Sequence, residues 1–241
     1  MSQSPSPEVR PGNILLPPLA GLGLGLAAAL LAWVLIQRVH PVFLMPENLH
    51  LSMGAPAAQV NAYRAKQREL DRHHAMLYLG SLGAFLGALL GVAEGRLRRS
   101  ILPVATTLPL GALGGVAGGL LACLVQEQVR VNVGLAEIKH TVMAQLALCL
   151  PLAGCIGLGL GLATRSLRGL VLAVLAGLAA GVLAGVLYPL ITSTFLPGIS
   201  TDSLLPEEAS SRLMWLGLLA GVIGLVVPIA GRRRKSATSN A

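Results

Sequence analysis

Residues 80–125 read GSLGAFLGALLGVAEG, then RLRRS, then ILPVATTLPLGALGGVAGGLLACLV, and they show the architecture of the chain most clearly. Two apolar runs flank a short basic turn, which is the pattern of a helical hairpin that crosses a membrane twice. Residues spaced by four lie near one face of a helix. Glycine recurs with this spacing in both runs, at Gly83, Gly87, Gly91, Gly95, Gly111, Gly115 and Gly119. The pattern predicts a smooth glycine seam on each helix, where a second helix can approach closely.

The composition indicates that lipid is the main solvent of this chain. Of its 241 residues, 54% are hydrophobic and only 12% are charged, whereas soluble domains carry about 25% charged residues. The apolar residues also cluster in long uncharged blocks, which a soluble core does not require. We therefore predict an all-α, polytopic membrane protein that forms one helix bundle.

Six uncharged blocks are long enough to cross a bilayer, which takes about 20 helical residues. All 18 Lys and Arg residues and all 10 Asp and Glu residues lie outside them. A charged side chain at the centre of a bilayer costs several kcal/mol, so this exclusion is what real spans require. The predicted spans are residues 14–36, 75–93, 101–125, 142–163, 169–195 and 213–231.

The remaining segments are short, apart from one loop. Residues 1–13 are rich in Ser and Pro and are predicted to be disordered. Residues 37–74 form the long loop, and the helix formers in its second half predict a helix that continues into the second span. Residues 232–241 form a basic tail. The first span could be a signal peptide, but its length and the lack of a clear cleavage site favour an uncleaved anchor.

The distribution of charge predicts the orientation. The N-terminus, the 2–3 turn, the 4–5 turn and the tail carry 10 of the 18 basic residues but only 2 of the 10 acidic ones. Because basic loops stay in the cytoplasm, we expect both termini there, the 37–74 loop outside, and a bacterial inner membrane as the location. The topology anchors are Arg96, Arg98, Arg99, Arg165, Arg168, Arg232, Arg233, Arg234 and Lys235.

The hairpin has a possible internal copy. At a shift of 70 residues, 13 of 33 positions are identical between 84–116 and 154–186, including the basic turns at Arg98 and Arg168. A two-helix unit keeps its orientation when it is duplicated, so this would be a parallel repeat. Shared membrane composition is the alternative explanation. Further seam glycines are Gly157, Gly161, Gly177, Gly181, Gly185, Gly217 and Gly221.

Small residues let membrane helices pack backbone to backbone, where there is little hydrophobic drive between them. The glycine seams could therefore build an oligomeric pore or a sliding gate, but ordinary packing within one bundle is the favoured interpretation. Pro109, Pro151 and Pro189 lie inside spans and predict kinks. The hydroxyls of Thr107 and Thr192 and their neighbours are expected to bond back to their own helices beside these prolines.

No span contains Asp, Glu, Lys, Arg or His, although proton-coupled carriers, pumps and intramembrane proteases need such groups. Cys123, Cys149 and Cys155 all lie in apolar runs and are predicted to be small buried residues. The five histidines lie in predicted external segments without metal-ligand spacing, so solvated loop histidines are favoured over a metal site. We expect no catalytic residue, no metal and no cofactor.

The sequence favours a non-enzymatic membrane protein with a structural, assembly or interaction role. A small passive channel or solute transporter, with the three prolines near a central cavity, is the alternative, and a lipid-directed enzyme using the external histidines is the least favoured. Expected partners are the bilayer, anionic lipid at the basic tail, and a second copy or another membrane protein. The net charge of +8 does not indicate nucleic-acid binding, because no basic patch is interleaved with aromatics.

Overall fold

The computed structural model describes residues 16–39, 42–46, 55–97, 101–132, 137–164, 166–195 and 209–238. These residues contain no strand and form six helices, each long and apolar enough to cross a membrane. The prediction of an all-α protein with six apolar helices is therefore confirmed. The helices are α1 (Leu16–Val39), α2 (Ala57–Leu97), α3 (Ile101–Asn132), α4 (Glu137–Leu162), α5 (Leu167–Phe195) and α6 (Ala209–Thr238).

Helix α2 joins the helical part of the long loop to the second span without a break, as predicted. Its 41 residues give a length of about 60 Å at 1.5 Å per residue. The hydrocarbon core of a bilayer is only about 30 Å thick, so roughly half of α2 lies outside it. The outlying part begins at Ala57 and carries most of the charged residues of the helix.

The helices alternate between an inner and an outer position along the chain. Helices α2, α4 and α6 contact one another, whereas α1, α3 and α5 make no contact with one another among the described residues. In the most apolar window of each helix, 50–56% of the residues are buried for the inner helices and 33% for the outer ones. The bundle is thus a core of three helices, each paired with an outer helix.

The interior of the bundle is filled by aliphatic side chains from the three inner helices. They recur at steps of three or four residues, so each inner helix presents one continuous apolar face to the other two. None is more than 3% exposed. The side chains are Leu82, Leu86 and Leu90 of α2, Leu148, Leu152 and Ile156 of α4, and Leu219 and Ile223 of α6.

Inner and outer helices approach closely where glycines lie. A Cβ atom placed on Gly87 would overlap the Gly111 carbonyl of α3, and one on Gly177 would overlap the Ala153 carbonyl of α4. Likewise, a Cβ on Gly25 of α1 would overlap the carbonyl of Ala220 in α6. At each of these three antiparallel crossings, a glycine lies against the backbone of the neighbouring helix.

The α2–α3 and α4–α5 crossings share one register. Gly91 lies against Thr107, and Gly157 lies against Ala173. Both residues of the second contact are 66 positions further along the chain than their counterparts in the first. Burial follows the same offset: the pattern of buried positions from Ala75 to Gly91 is repeated from Thr141 to Gly157.

The two ends of the bundle differ in their connections. Helices α1, α3 and α5 end, and α2, α4 and α6 begin, at one end of the bundle, which we call the long-loop end. We call the opposite end the short-turn end. At the short-turn end, α2 ends at Leu97 and α3 begins at Ile101, and α4 ends at Leu162 and α5 begins at Leu167. The predicted disordered segment 1–13 lies outside the described residues, whereas the backbone of the basic tail is helical as far as Thr238.

Candidate functional site: a polar cluster at the long-loop end

The inner helices change character at their long-loop ends, where buried polar side chains replace the aliphatic core. Tyr78 of α2, Gln145 of α4 and Ser211 of α6 are all buried there, and Thr141 lies one turn before Gln145. Because lipid offers no hydrogen-bond partners, buried polar groups in a membrane protein collect where they can satisfy one another. We call these residues, with Arg212 and Trp215, the polar cluster.

Arg212 joins α6 to α2. One terminal nitrogen of its guanidinium group, Nη1, donates a hydrogen bond of 2.8 Å to the Tyr78 hydroxyl, and the guanidinium carbon lies 5.8 Å from the centre of the Tyr78 ring. The Arg212 Nε atom is buried and has no hydrogen-bond partner among the described residues. The positive charge is thus held by a neutral phenol rather than by a described carboxylate.

Trp215 joins α6 to α4 one turn further into the bundle. Its indole N–H donates to the Gln145 side-chain oxygen at 3.3 Å, and the Tyr188 ring of α5 meets the Trp215 ring edge-on at 6.4 Å. Both bonding partners are about 2% exposed. Helix α6 is therefore tied to both other inner helices by side-chain hydrogen bonds at the long-loop end.

Further polar groups surround the cluster. Arg72 of α2 forms an ion pair with Glu127 of α3 at 3.3 Å, while its Nε atom is buried without a partner. Two amide side chains also have one buried atom without a partner, Nε2 of Gln37 and Oε1 of Gln126. Buried polar groups normally have at least one hydrogen-bond partner, and these atoms have none among the described side chains and backbone groups.

The connection between α1 and α2 folds back onto α2. The Phe43 backbone N–H donates to His74 Nε2 at 3.2 Å, and the Phe43 ring lies 5.4 Å from His73 and 5.2 Å from His74. On the projecting part of α2, Lys66 Nζ donates a hydrogen bond to Glu69 Oε2 at 3.0 Å and forms an ion pair with it. The hydrogen bond from Lys66, together with its charge, lowers the pKa of the Glu69 carboxyl.

Most of the predicted seam glycines face backbone of a neighbouring helix. A Cβ atom on these residues would come closer to a backbone atom of that helix than packed atoms normally approach. They are Gly83, Gly87, Gly91, Gly95, Gly111, Gly115 and Gly119 at α2–α3, and Gly157, Gly161, Gly177, Gly181 and Gly185 at α4–α5.

Gly217 and Gly221 of α6 are placed differently. A Cβ on Gly217 would meet only a methyl group of Leu26 at 3.8 Å, and one on Gly221 would meet only side-chain atoms of Leu22 and Leu26. These two glycines instead line an open apolar groove of about 630 Å³ between α1 and α6. The close contacts between those helices are made by Gly25 and Gly224.

A further interface was missed from sequence. Gly114 and Gly118 of α3 lie against Cys155 of α4, and Gly159 of α4 lies against Leu110. These glycines were visible in the sequence, since Gly114 and Gly118 also have the four-residue spacing. Nothing in the sequence indicates that this second face of α3 meets a helix.

The charged topology anchors lie at the short-turn end where they are described. Arg168 is exposed in the first turn of α5. Arg98, Arg99 and Arg165 lie outside the described residues. For Arg96, Arg232, Arg233, Arg234 and Lys235, the structure describes only the backbone, as part of α2 and α6.

The prediction of burial holds for two of the three cysteines, and the prediction of bonding back to the same helix holds for Thr107 and Thr192. Cys123 and Cys149 are buried, Cys155 is half-buried, and all three are free thiols. Thr192 donates to the Tyr188 carbonyl of its own helix at 2.9 Å, as predicted. The hydroxyl of Thr107 also bonds a carbonyl of its own helix, that of Val104, but its shorter hydrogen bond, 2.6 Å, goes to the Gly91 carbonyl of α2. The hairpin brings that carbonyl closer than the carbonyl of Val104 in the same helix, which lies at 3.5 Å.

The place of Arg212 in the polar cluster was not apparent from the sequence, in which it is a charge directly before the sixth predicted span. Arg212 precedes Trp215 and Leu219 by three and seven residues. This spacing places it on the buried face of α6 and was the one sign in the sequence that Arg212 faces the bundle. No protein-family model, curated protein or solved structure matches this chain.

Proposed function

We propose that this integral membrane protein has no enzymatic activity and serves a structural, assembly or interaction role. The observation that carries the proposal is the filled interior, in which large aliphatic side chains of α2, α4 and α6 are almost completely buried. An open passive channel needs a polar or water-lined path along this axis. Leu86, Leu152 and Leu219 occupy it instead.

The projecting part of α2 is the proposed interaction element. Asn61, Arg64, Gln67, Arg68 and Asp71 line one exposed, polar side of it, at steps of three or four residues. A solvated helix that rises from the membrane offers side chains to a partner without disturbing the bundle. With both termini in the cytoplasm, as the charge distribution favours, this element is external.

We further propose that glycine-lined packing determines which helices pair. Close van der Waals contact must replace the hydrophobic effect between helices in lipid. The positions of Gly83 against Gly115 and of Gly25 against Ala220 support this proposal, because any side chain there would push the helices apart.

The helix pairs are proposed to be copies of one hairpin. The contacts relate α2–α3 to α4–α5 at an offset of 66 residues, rather than the 70 that maximises sequence identity. Five glycines then coincide with glycines in the second hairpin: Gly91, Gly95, Gly111, Gly115 and Gly119 fall on Gly157, Gly161, Gly177, Gly181 and Gly185.

Helices α6 and α1, which pack together, form a proposed third copy. The contact of Gly224 with Gly21 corresponds to that of Gly157 with Ala173. In both pairs, the inner helix contributes the glycine that lies against the outer helix. In this pair the helix that corresponds to the second of a hairpin, α1, precedes the helix that corresponds to the first, α6.

Contact with the bilayer follows from the exposed leucines of the outer helices, such as Leu113 and Leu175. We propose that the basic tail binds anionic lipid, since each Lys or Arg near such a surface contributes about 1 kcal/mol. A second copy or another membrane protein is the proposed partner, and a bacterial inner membrane is the proposed location. No nucleic-acid role is proposed.

Two measurements test the proposed function. Purified protein in liposomes is expected to release none of a panel of small trapped solutes, while a pore-forming peptide in matched vesicles releases all of them. A photo-reactive residue in place of Asn61 is expected to give a discrete cross-linked protein band in native membranes, whereas one in place of Leu175 gives lipid adducts. Solute-selective flux from the pure protein would contradict the proposal.

A solute transporter is the second candidate, and one observation favours it. Arg212 lies on the interior face of α6 at one end of the bundle. Ionisable groups that face the interior of a membrane bundle commonly mark solute pathways. In this alternative, the filled axis is the closed state of a bundle that opens on binding.

A further inference from the structure

We propose that the long-loop end of the bundle contains a binding site for a phosphate group, with Arg212 as its principal ligand. The inference goes beyond the function proposed above and does not depend on whether the protein moves solutes. It rests on the charge of Arg212, on buried donors that have no acceptor, and on one buried acceptor that has no donor.

Arg212 faces the interior of the bundle rather than lipid. The buried residues Trp215, Leu219 and Ile223 follow it by 3, 7 and 11 residues and lie on the same helix face. Its Nη1 is bonded to Tyr78, and its Nε is buried with no acceptor. Among the residues that the structure describes, no carboxylate pairs with this guanidinium.

Two more buried donors at the same end have no acceptor within the described part of the chain. They are Arg72 Nε on α2 and Gln37 Nε2 on α1. The Arg72 charge is balanced by Glu127, so these three charged side chains leave one net positive charge, on Arg212. Three helices therefore place buried hydrogen-bond donors at one end of the bundle, and the charge of one of them, Arg212, is not paired with a carboxylate among the described residues.

The buried acceptor without a partner, Gln126 Oε1, requires a ligand that can also donate a hydrogen bond. Gln126 Oε1 follows Gly119 by seven residues, and Arg72 precedes Leu79 by seven. Because Gly119 lies against Leu79 in the antiparallel pair, Gln126 and Arg72 are at the same level. A ligand that satisfies both accepts from Arg72 and donates to Gln126.

A phosphate group that retains one proton has this combination. Its anionic oxygens accept charge-assisted hydrogen bonds from arginine, and its hydroxyl can donate to an amide oxygen. A fully ionised carboxylate accepts only. The phosphate can come from solution or from the headgroup of a lipid such as phosphatidate, and the two sources offer the same chemistry to Arg212.

Trp215 provides the reporter, since it lies one turn from Arg212 and the chain has only two tryptophans. In a Trp33→Phe background in detergent, inorganic phosphate is titrated at pH 7 against potassium chloride of equal ionic strength. Dihexanoyl-phosphatidate is titrated separately. We expect a saturable change in Trp215 emission and a rise in the unfolding temperature, which does not depend on the indole.

The variants decide the assignment. Arg212→Gln should weaken binding about tenfold or more, because a charge-assisted bond and the net charge are lost. Arg38→Gln removes an exposed arginine at the same end of α1 and should leave binding unchanged. If Arg212→Gln lacks the native helical circular dichroism, Arg212→Lys replaces it, with a several-fold loss expected because the Nε donor is absent.

Each outcome is informative. Saturation by inorganic phosphate supports the site with a soluble ligand, and saturation by phosphatidate alone supports it with a lipid ligand. The proposal is overturned if neither probe changes emission or unfolding temperature, or if the Arg212 variant binds as tightly as the parent.

Discussion

The Thr107 hydroxyl donates a hydrogen bond of 2.6 Å to the Gly91 carbonyl, and so joins α3 to α2 inside the apolar part of the bundle. The bond exists because Gly91 has no side chain to hold the helices apart. Thr107 is completely buried, so solvent does not reach its hydroxyl to form a hydrogen bond.

Replacing Thr107 by valine keeps the shape of the side chain and removes the donor. We expect the free energy of unfolding to fall by about 1 kcal/mol, the usual contribution of one such bond, and Thr107→Ser to retain most of the stability. Thermal unfolding in detergent, followed by circular dichroism, measures the effect. Thr106→Val is the matched control because Thr106 is exposed. Equal losses for the two valine variants would show that the interhelical bond contributes nothing.

Gly115→Ala should destabilise the bundle, because the new methyl group would overlap the Gly83 carbonyl. Overpacking of this kind costs about 1–3 kcal/mol. Gly80→Ala provides the control, since nothing lies within 4 Å of a Cβ there, and alanine is the better helix former. We expect a lower unfolding temperature for the first variant and an unchanged or higher one for the second. The reverse order would refute close contact at this crossing.

Leu152→Ala removes a completely buried side chain from the interior of the bundle. The resulting cavity should cost about 2–5 kcal/mol. The same substitution at Leu175, which is 56% exposed, should have a much smaller effect because lipid replaces the lost contacts. Denaturant titration in one detergent compares the two, and similar losses would mean that the interior is not packed as described.

The orientation is tested with reporters fused at the two ends of the last helix. A periplasm-dependent phosphatase fused after Lys235 should be inactive, because the basic tail is expected to stay in the cytoplasm. The same enzyme fused after Glu208, before α6 begins, should be active. Activity of the Lys235 fusion alone would invert the topology.

The six helices were predictable because a bilayer imposes one strong requirement, a long uncharged segment, and the chain fulfils it six times. The continuous helix from Ala57 through the second span was predictable as well, since no proline or glycine interrupts residues 57–79. These features depend on local sequence alone.

The neighbours of each helix could not be predicted. Gly217 and Gly25 look alike in sequence, yet one lines an open groove and the other meets the Ala220 carbonyl. Glycine spacing identifies a smooth face without saying what covers it. The buried position of Arg212 could not be predicted for a related reason. Its hydrogen-bond partner, Tyr78, lies 134 residues away in the chain.

The contact between Gly25 and Ala220 joins residues 195 positions apart and has a consequence for biosynthesis. At a synthesis rate of about 5–20 residues per second, α1 waits roughly 10–40 s for its partner helix to emerge. During that interval the glycine-lined face of α1 borders lipid or a membrane insertase, while the α2–α3 and α4–α5 hairpins can already close. Ribosomes that stop before α6 would therefore leave α1 as an orphan helix, ready for recognition by quality-control proteases.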